Sequence, residues 1–211
     1  MIQEISVDHA VRDRMGIIER GLKRGFDVVV SLLALVILSP ALATIAILIA
    51  REKSGPVLFR QERIGRGGKP FRILKFRSMK TDAEKDGSAL LAGDNDSRLT
   101  RSGKFLRQHH LDELPQLWNV FVGDMSFVGP RPERKFYIDQ IMERNPKYEL
   151  LYKIRPGVTS YATLYNGYTD TMEKMLRRLD LDLLYLDHHS FLFDTKILLK
   201  TFTSIVFGKK I

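Results

Sequence analysis

Residues 28–50 read VVVSLLALVILSPALATIAILIA and carry no charged side chain. A helix that crosses a bilayer needs roughly 20 predominantly apolar residues, so this run is long enough. Ser39 and Pro40 stand near its middle, where the proline removes a backbone donor and clashes with the preceding turn. The Ser39 hydroxyl can donate to a carbonyl that the break leaves free. The sequence therefore predicts a membrane helix that is broken at Ser39 and Pro40.

Positive charge flanks this apolar run on both sides. The cationic residues are Arg20, Lys23 and Arg24 before it and Arg51, Lys53, Arg60 and Arg63 after it. Because positive charge marks the cytoplasmic side of a membrane segment, we expect a re-entrant helix with both flanks on that side. A kinked helix that spans the bilayer stays the alternative. A cleavable signal peptide fits poorly, since the apolar run continues to Ala50 and several acidic residues precede it.

The expected organisation is an N-terminal extension (1–22), the re-entrant helix (23–51) and a cytosolic domain (52–211). Hydrophobic residues make up 44% of the 211 residues and charged residues 28%, which favours one packed core. The absence of cysteine excludes a disulfide framework and a thiolate metal site. A net charge of +9 suits an anionic bilayer surface or a phosphate-rich substrate. No nucleic-acid partner is expected, because the basic residues are spread and form no recognition motif.

The predicted fold class is α+β and mainly helical. Val57–Ile64 and Phe71–Phe76 flank a glycine-rich stretch, which predicts a small β-hairpin. Apolar spacing predicts helices over Arg98–His110, Phe136–Arg144 and Asp170–Asp187. The basic, amphipathic stretch Thr195–Ile211 fits an interfacial helix or a core-packing helix with a lysine edge. The predicted membrane helix favours the interfacial interpretation. We therefore expect interfacial amphipathic helices around one compact domain.

The candidate site lies between Arg107 and Pro132. Asp112 and Glu113 are adjacent, and neighbours in a regular helix do not face one site, so both carboxylates share a site only near a break. Pro115 is expected to supply that break by moving Leu114 out of the helical region and starting a new helix. The competing interpretation is that Asp112 or Glu113 only caps a helix.

Several cations accompany the two carboxylates. Arg107 precedes them by about one and a half helical turns, Arg131 lies between two prolines, and Lys75 and Arg77 belong to the second predicted strand. Guanidinium groups beside carboxylates suit a diphosphate neutralised by Mg2+, and an aspartate can act as a covalent nucleophile in phosphoryl transfer. The pairs His109-His110 and His188-His189 lack zinc-ligand spacing and are interpreted as non-metal residues.

Six motifs in order resemble one family, the bacterial sugar transferases, and among them the monotopic phosphoglycosyl transferases that act on polyprenol phosphate. They are the basic flank and apolar run with Ser39-Pro40, FRQERIG at 59–65, KFRSM at 75–79, LDELPQ at 111–116, GDMSFVGPRP at 123–132 and RPGVT at 155–159. The resemblance covers the chain from about Lys23 to its end, which makes the combined match specific although each motif alone is weak.

The resemblance implies a mechanism and a place in the cell. Asp112 would attack the sugar-bearing phosphorus of a UDP-sugar, UMP would leave, and polyprenol phosphate would take the phosphosugar from the aspartate. Glu113 would help Asp112 hold Mg2+ or manage the proton, while Lys75, Arg77, Arg107 and Arg131 would bind phosphate. The chain would lie at the cytoplasmic face of a bacterial inner membrane and start a glycoconjugate pathway. A homodimer is left open.

Two further functions remain as alternatives. One is a membrane adaptor without catalytic activity, and the other is an enzyme that transfers the sugar alone and releases UDP. The sequence also departs from the family after RPGVT, where many relatives carry Gly-Trp and then Asn-Gly-Arg. This chain has Ser160-Tyr161 and then Asn166-Gly167-Tyr168, so the sugar stays undetermined.

Overall fold

The computed structural model describes residues 11–207 except 82, 84–95 and 168. Most of the polar, glycine-containing stretch Thr81–Ser97 therefore lies outside the described residues, as do Tyr168 and the ends of the chain. Within the described part, the helices are α1 (Ile17–Ile37), α2 (Ser39–Arg51), α3 (Arg101–Gln108), α4 (Gln116–Val122), α5 (Lys135–Arg144), α6 (Tyr161–Asn166), α7 (Met172–Asp187) and α8 (Phe191–Val206). The strands are β1 (Leu58–Ile64), β2 (Pro70–Phe76), β3 (Ser126–Val128) and β4 (Gly157–Thr159), and 3₁₀ turns occupy 66–68, 111–113 and 146–153.

The apolar run folds as two helices with a bend between them. Helices α1 and α2 meet at Leu38 with an angle of 62°. Pro40 lies in the first turn of α2, where a missing N–H costs no helical hydrogen bond. The Ser39 hydroxyl donates to the Val36 carbonyl at 2.8 Å. The predicted break at Ser39 and Pro40 is confirmed, and α1 begins at Ile17, six residues before the expected start of the anchor.

Length and composition leave the bent pair as the membrane candidate. No single helix among the described residues is long and apolar enough to cross a bilayer, whereas α1 and α2 together meet that requirement. Many of their large apolar side chains are solvent-exposed, including Val29, Leu33, Ile37 and Ile47. A bilayer would cover such a surface, which water solvates unfavourably.

Strands β1 and β2 form the predicted hairpin. They pair antiparallel from Leu58 opposite Phe76 to Ile64 opposite Pro70. The connecting turn places Gly67 at a φ of 72°, a left-handed conformation that glycine adopts without a steric cost. The sequence did not predict the second pair, in which β3 and β4 run parallel. The backbones approach so closely there that a Cβ on Gly157 would stand 2.2 Å from the Gly129 nitrogen.

The main core lies where α5, the 3₁₀ turn 146–153, α7 and α8 pack together. Leucines predicted by their helical spacing on α7, among them Leu179, Leu183 and Leu186, are buried in it. Helix α8 begins at Phe191, four residues before the predicted start, and has two apolar sides. Ile197 is 2% exposed, whereas Leu199 is 61% and Phe202 66% exposed. Helix α8 therefore packs into the core and also presents apolar side chains outward.

The bent helix pair is joined to the domain at both of its ends. Near the start of α1, the Arg24 guanidinium donates to the Val120 and Phe121 carbonyls at 2.7 and 2.8 Å. At the end of α2, the Arg77 guanidinium donates to the Ile49 carbonyl at 3.0 Å. Ion pairs and carbonyl contacts to a guanidinium are strong because the donor is charged. Both ends of the bent helix pair, which together form a V, therefore bind to the same domain.

Candidate active site

The two adjacent carboxylates lie in a 3₁₀ turn between α3 and α4. The break that places them is at His110, whose φ of 54° is left-handed. The prediction that Pro115 moves Leu114 out of the helical region is wrong, because Leu114 has φ −53° and ψ −37°. The residue before a proline is only disfavoured in that region, and here Leu114 keeps a hydrogen bond from its N–H to the Leu111 carbonyl at 3.3 Å. Pro115 still precedes the new helix, as predicted.

Glu113 binds two cations from distant parts of the chain. Its Oε1 accepts hydrogen bonds from Lys75 Nζ at 2.6 Å and from an Arg131 guanidinium nitrogen at 3.1 Å. Burial alone would raise the pKa of Glu113, but the charges of Lys75 and Arg131 reverse this and hold it far below the ordinary value. Glu113 is thus ionised at neutral pH. The structure brings together three of the predicted site residues, Lys75, Glu113 and Arg131.

Asp112 differs from its neighbour in having a free carboxylate. It is 6% exposed, and no described residue makes a hydrogen bond or ion pair with its side chain. Burial raises its pKa and the Glu113 charge adds to the rise, while Lys75 and Arg107 oppose it. Arg107 therefore lies close enough to act on Asp112 electrostatically. A buried carboxylate beside several cations, with its oxygens unused, is suited to attack or bind an incoming electrophile.

The segment that carries Arg131 is fixed on both sides. The Gly157 N–H donates to the Pro130 carbonyl at 2.9 Å, and the Ile64 N–H donates to the Glu133 carbonyl at 3.1 Å. The Glu133 carboxylate in turn accepts from Arg63 at 3.4 Å and forms an ion pair with Arg178 on α7. These contacts tie Arg131 to the hairpin, to β4 and to the main core.

Arg77 is the predicted phosphate ligand that the structure does not place in this cluster. Its side chain is buried, with hydrogen bonds to the carbonyls of Ile49 and Pro56 and a 3.9 Å ion pair to Glu52. All three contacts lie at or just after the end of α2. Arg77 follows the last residue of β2, Phe76, and its side chain turns to the end of α2, away from the cluster that Lys75 joins. Its predicted role in phosphate binding stays a prediction. Its contacts make Arg77 a link between the bent helix pair and the domain.

Asn119 is an important site residue that the sequence reasoning missed. Its side-chain oxygen accepts from the Leu74 N–H at 2.9 Å, and its amide donates to the Arg72 carbonyl at 2.9 Å. A buried amide that satisfies both groups fixes α4 against β2, and hence Asp112 against Lys75. The only sequence signal is a polar residue within the apolar run of α4.

The donor set at the site suits Mg2+ that is shared with a substrate. Among the described residues, no three His, Asp or Glu side chains gather as a metal site. Mg2+ is commonly held by one or two carboxylates together with substrate phosphates. The unpaired Asp112 carboxylate and the neighbouring Glu113 match that requirement, so the residues present fit this ion.

Comparison with known proteins identifies the family. A family model described as bacterial sugar transferase matches residues 18–208, so this chain belongs to the bacterial sugar transferases. The predicted family is therefore confirmed, while the roles of individual site residues stay predictions.

Three relatives illustrate the match. The chain is 37% identical over 209 residues to the UDP-N-acetylgalactosamine-undecaprenyl-phosphate N-acetylgalactosaminephosphotransferase of Aeromonas hydrophila, covering 97% of this chain and 49% of the relative. It is 44% identical over 186 residues to the UDP-glucose:undecaprenyl-phosphate glucose-1-phosphate transferase of Escherichia coli (strain K12), covering 87% and 40%. It is 39% identical over 192 residues to the exopolysaccharide production protein PSS of Rhizobium leguminosarum bv. phaseoli, covering 87% and 94%. The chain thus spans half or less of the first two relatives.

Proposed function

We propose that this chain transfers a sugar phosphate from a UDP-sugar to polyprenol phosphate and releases UMP. The names of its relatives supply the substrate class, a UDP-sugar and undecaprenyl phosphate. The observation that carries the proposal is the contrast between the two carboxylates. Glu113 is occupied by Lys75 and Arg131, and Asp112 is buried beside them with free oxygens. Such a site can bind a diphosphate and attack it.

The reaction consists of two displacements at one phosphorus. An Asp112 oxygen forms a bond to the sugar-bearing phosphorus while the bond from that phosphorus to the bridging oxygen breaks, so UMP leaves with that oxygen. A polyprenol phosphate oxygen then bonds to the same phosphorus, and the Asp112 carboxylate is released. Splitting one difficult transfer into two steps is the advantage of a covalent nucleophile. The product is polyprenol diphosphosugar.

The cations stabilise charge on the transferred group. Lys75 and Arg131 are held by Glu113, so their positions are fixed before substrate arrives, and preorganised charges are the most effective kind. Because the pKa of Glu113 is far below its ordinary value, Glu113 is a weak base and suits positioning better than proton transfer. Mg2+, when bound by Asp112 and Glu113, would neutralise diphosphate charge.

The attachment of the bent pair supports entry from one side of the membrane. Residues 28–37 and α2 measure about 15 and 20 Å at about 1.5 Å per residue. With a bend of 62°, a symmetric V penetrates only about 8–10 Å, against a hydrocarbon core of about 30 Å. Because Arg24 and Arg77 bind the two ends to one domain, both ends belong on one side. The positive flanks favour the cytoplasmic face of a bacterial inner membrane.

The decisive experiment identifies the released nucleotide. Wild-type protein in detergent or nanodiscs is incubated with UDP-glucose or UDP-N-acetylgalactosamine, with and without undecaprenyl phosphate. Without acceptor, we expect about one UMP per active site and a protein mass increased by one phosphosugar, as covalent catalysis requires. Asp112→Asn should give neither product, whereas the exposed and matched change Asp139→Asn should give both.

Two results would contradict the proposal. Release of UDP in place of UMP would mean that the sugar is transferred without its phosphate. Turnover by Asp112→Asn at the wild-type rate would refute the aspartyl intermediate. Comparing UDP-glucose with UDP-N-acetylgalactosamine also tests which sugar is transferred, because the names of the relatives differ in the sugar. A homodimer remains a prediction.

A further inference from the structure

A second cationic site lies away from Asp112, in a cavity of about 50 Å³ that we call the Arg66 cavity. Its cationic lining residues are Arg20, Lys23, Arg24, Arg66, Lys153 and Arg155. Arg66 lies in the hairpin turn, whereas Lys75 is five residues along β2 from Pro70, about 17 Å at about 3.3 Å per residue. The cavity shares no lining residue with the Asp112 cluster.

The cations of the Arg66 cavity outnumber its acidic partners. Asp13 is paired with Arg20, and Lys23 is paired with Asp194. The four other cations form no ion pair with a described carboxylate, and the second acidic lining residue, Asp27, is used by hydrogen bonds from Ser126 and the Phe127 N–H. The cavity therefore holds surplus positive charge.

Arg155 shows that these charges act on one another. Burial lowers the pKa of Arg155, and the guanidinium groups of Arg24 and Arg66 lower it further. The charge of Asp27 opposes this lowering. Like charges that face one another are unfavourable, and a bound anion relieves the repulsion. Arg66 and Lys153 are exposed at the rim, with no hydrogen bond or ion pair to any described residue. They are thus available to a ligand.

A buried histidine with one unused ring nitrogen lies at the same place. His189 lines the cavity and is 3% exposed. Its Nδ1 is 2.8 Å from an Asp13 oxygen, whereas its Nε2 has no hydrogen-bond partner among the described residues. A buried nitrogen without a partner is costly, and such groups are usually satisfied by a ligand or water. Because Nδ1 faces the Asp13 carboxylate and burial lowers the pKa of His189, Nδ1 carries the single ring proton. Nε2, which is 4.0 Å from an Asp194 oxygen, is then an acceptor for a water or a hydroxyl group, and the phosphate contacts are left to the cations.

The position of the cavity relates it to the membrane. Arg20, Lys23 and Arg24 lie on α1 just before the apolar run that starts at Val28. Residues that flank a membrane segment on its polar side lie at the level of the lipid headgroups. This holds for a re-entrant helix and for a spanning one alike, so the inference needs no choice between the two topologies.

We propose that the Arg66 cavity binds a phosphate group presented at the membrane surface, at a site separate from the Asp112 centre. A phospholipid headgroup and dissolved phosphate share the recognised chemistry, and the position beside α1 favours the headgroup. The bound phosphate would accept hydrogen bonds from Arg66 and Lys153 at the rim. Together with the bent helix pair, the bound phosphate would hold the domain at a fixed height above the bilayer.

The test compares two double variants that lose the same charge. In Arg66→Gln/Lys153→Gln, both exposed rim cations are neutralised, and in the control Lys135→Gln/Arg144→Gln two exposed cations of α5 are neutralised. Each protein is placed in nanodiscs of phosphatidylglycerol and phosphatidylcholine, and retained lipids are counted by native mass spectrometry. Binding of inorganic phosphate to the detergent-solubilised proteins is measured by calorimetry.

The expected result is that the rim variant retains phosphatidylglycerol roughly tenfold more weakly than wild type and control, because two cations near the headgroups are lost. Loss of inorganic phosphate binding alone, with equal lipid retention, would overturn the assignment to the membrane surface and assign the site to dissolved phosphate. Equal binding of both probes by all three proteins would overturn the proposal. Loss of acceptor-independent UMP release by the detergent-solubilised rim variant, where no bilayer positions the domain, would also overturn it, by assigning the cavity to the donor diphosphate.

Discussion

Replacing Asp182 with asparagine is expected to remove a pH-dependent loss of stability. Asp182 lies buried on α7, and one of its carboxylate oxygens has no hydrogen-bond partner among the described residues. Burial raises its pKa from the ordinary 3.8 to about 7, with Arg178 opposing the rise and Glu133 adding to it. The folded chain therefore keeps Asp182 protonated in a range where the unfolded chain ionises it.

The size of the effect follows from the two pKa values. Between about pH 4 and pH 7 the folded chain binds a proton that the unfolded chain lacks, so the free energy of unfolding falls as pH rises through this window. Below about pH 4 both states are protonated and the effect vanishes. About three pKa units correspond to about 4 kcal/mol above pH 7, at about 1.4 kcal/mol per unit. Asparagine cannot ionise, so the variant should lose this pH dependence.

Thermal unfolding of both proteins in the same detergent, from pH 5 to pH 8, tests the prediction. Asp182→Asn should be more stable than wild type at pH 8, and the difference should shrink steadily towards pH 5. Glu143→Gln, which removes an exposed carboxylate from α5, controls for the change in net charge and should follow wild type. If Asp182→Asn and wild type lose stability in parallel over this range, the assignment of a raised pKa to Asp182 is wrong.

Three further predictions concern the site and the anchor. Lys75→Met should slow UMP release on the order of a hundredfold, because a preorganised charge is lost. It should also move the acidic limb of the pH–rate profile to higher pH, since Lys75 is the main influence that lowers the Asp112 pKa. An unchanged acidic limb would contradict this. Asn119→Leu removes the partners of the Leu74 N–H and the Arg72 carbonyl and should cost about 1–3 kcal/mol in urea unfolding, so a loss below about 0.5 kcal/mol would refute its bridging role. Because the chain has no cysteine, single cysteines at Arg12 and Glu143 can be labelled in oriented vesicles. Both should react on the cytoplasmic side, and labelling on opposite sides would exclude the re-entrant topology.

Local sequence signals predicted the parts of the fold that depend on neighbouring residues. The bent helix pair follows from an uncharged run interrupted by Pro40, and the hairpin follows from two strand-like runs around a glycine-rich turn. The leucine spacing of α7 gave its extent to within two residues. In each of these cases the interaction that fixes the structure is encoded within a few residues or one periodic pattern.

Long-range contacts account for what the sequence did not predict. Strands β3 and β4 have three residues each, too few for a periodic signal, and they pair across 31 positions from Ser126 to Gly157. Arg77 has the charge of a phosphate ligand, but its position at the end of β2 directs it to α2. The ion pair between Glu133 and Arg178 joins residues 45 positions apart, and nothing in the local sequence of either residue indicates the other.

The adjacent carboxylates at 112 and 113 can therefore be understood as a division of roles. A buried aspartate surrounded by cations would ordinarily form ion pairs, and a paired carboxylate is a poorer nucleophile because its oxygens are occupied. Here Glu113 accepts the hydrogen bonds of Lys75 and Arg131, and its pKa falls, while burial raises the pKa of Asp112. The cations thus stay close enough to bind a diphosphate without occupying the oxygens of Asp112. Under the proposed mechanism, a glutamine at 113 would weaken both contacts and leave Lys75 available to pair with Asp112, so Glu113 would keep the Asp112 oxygens free as well as orient the cations.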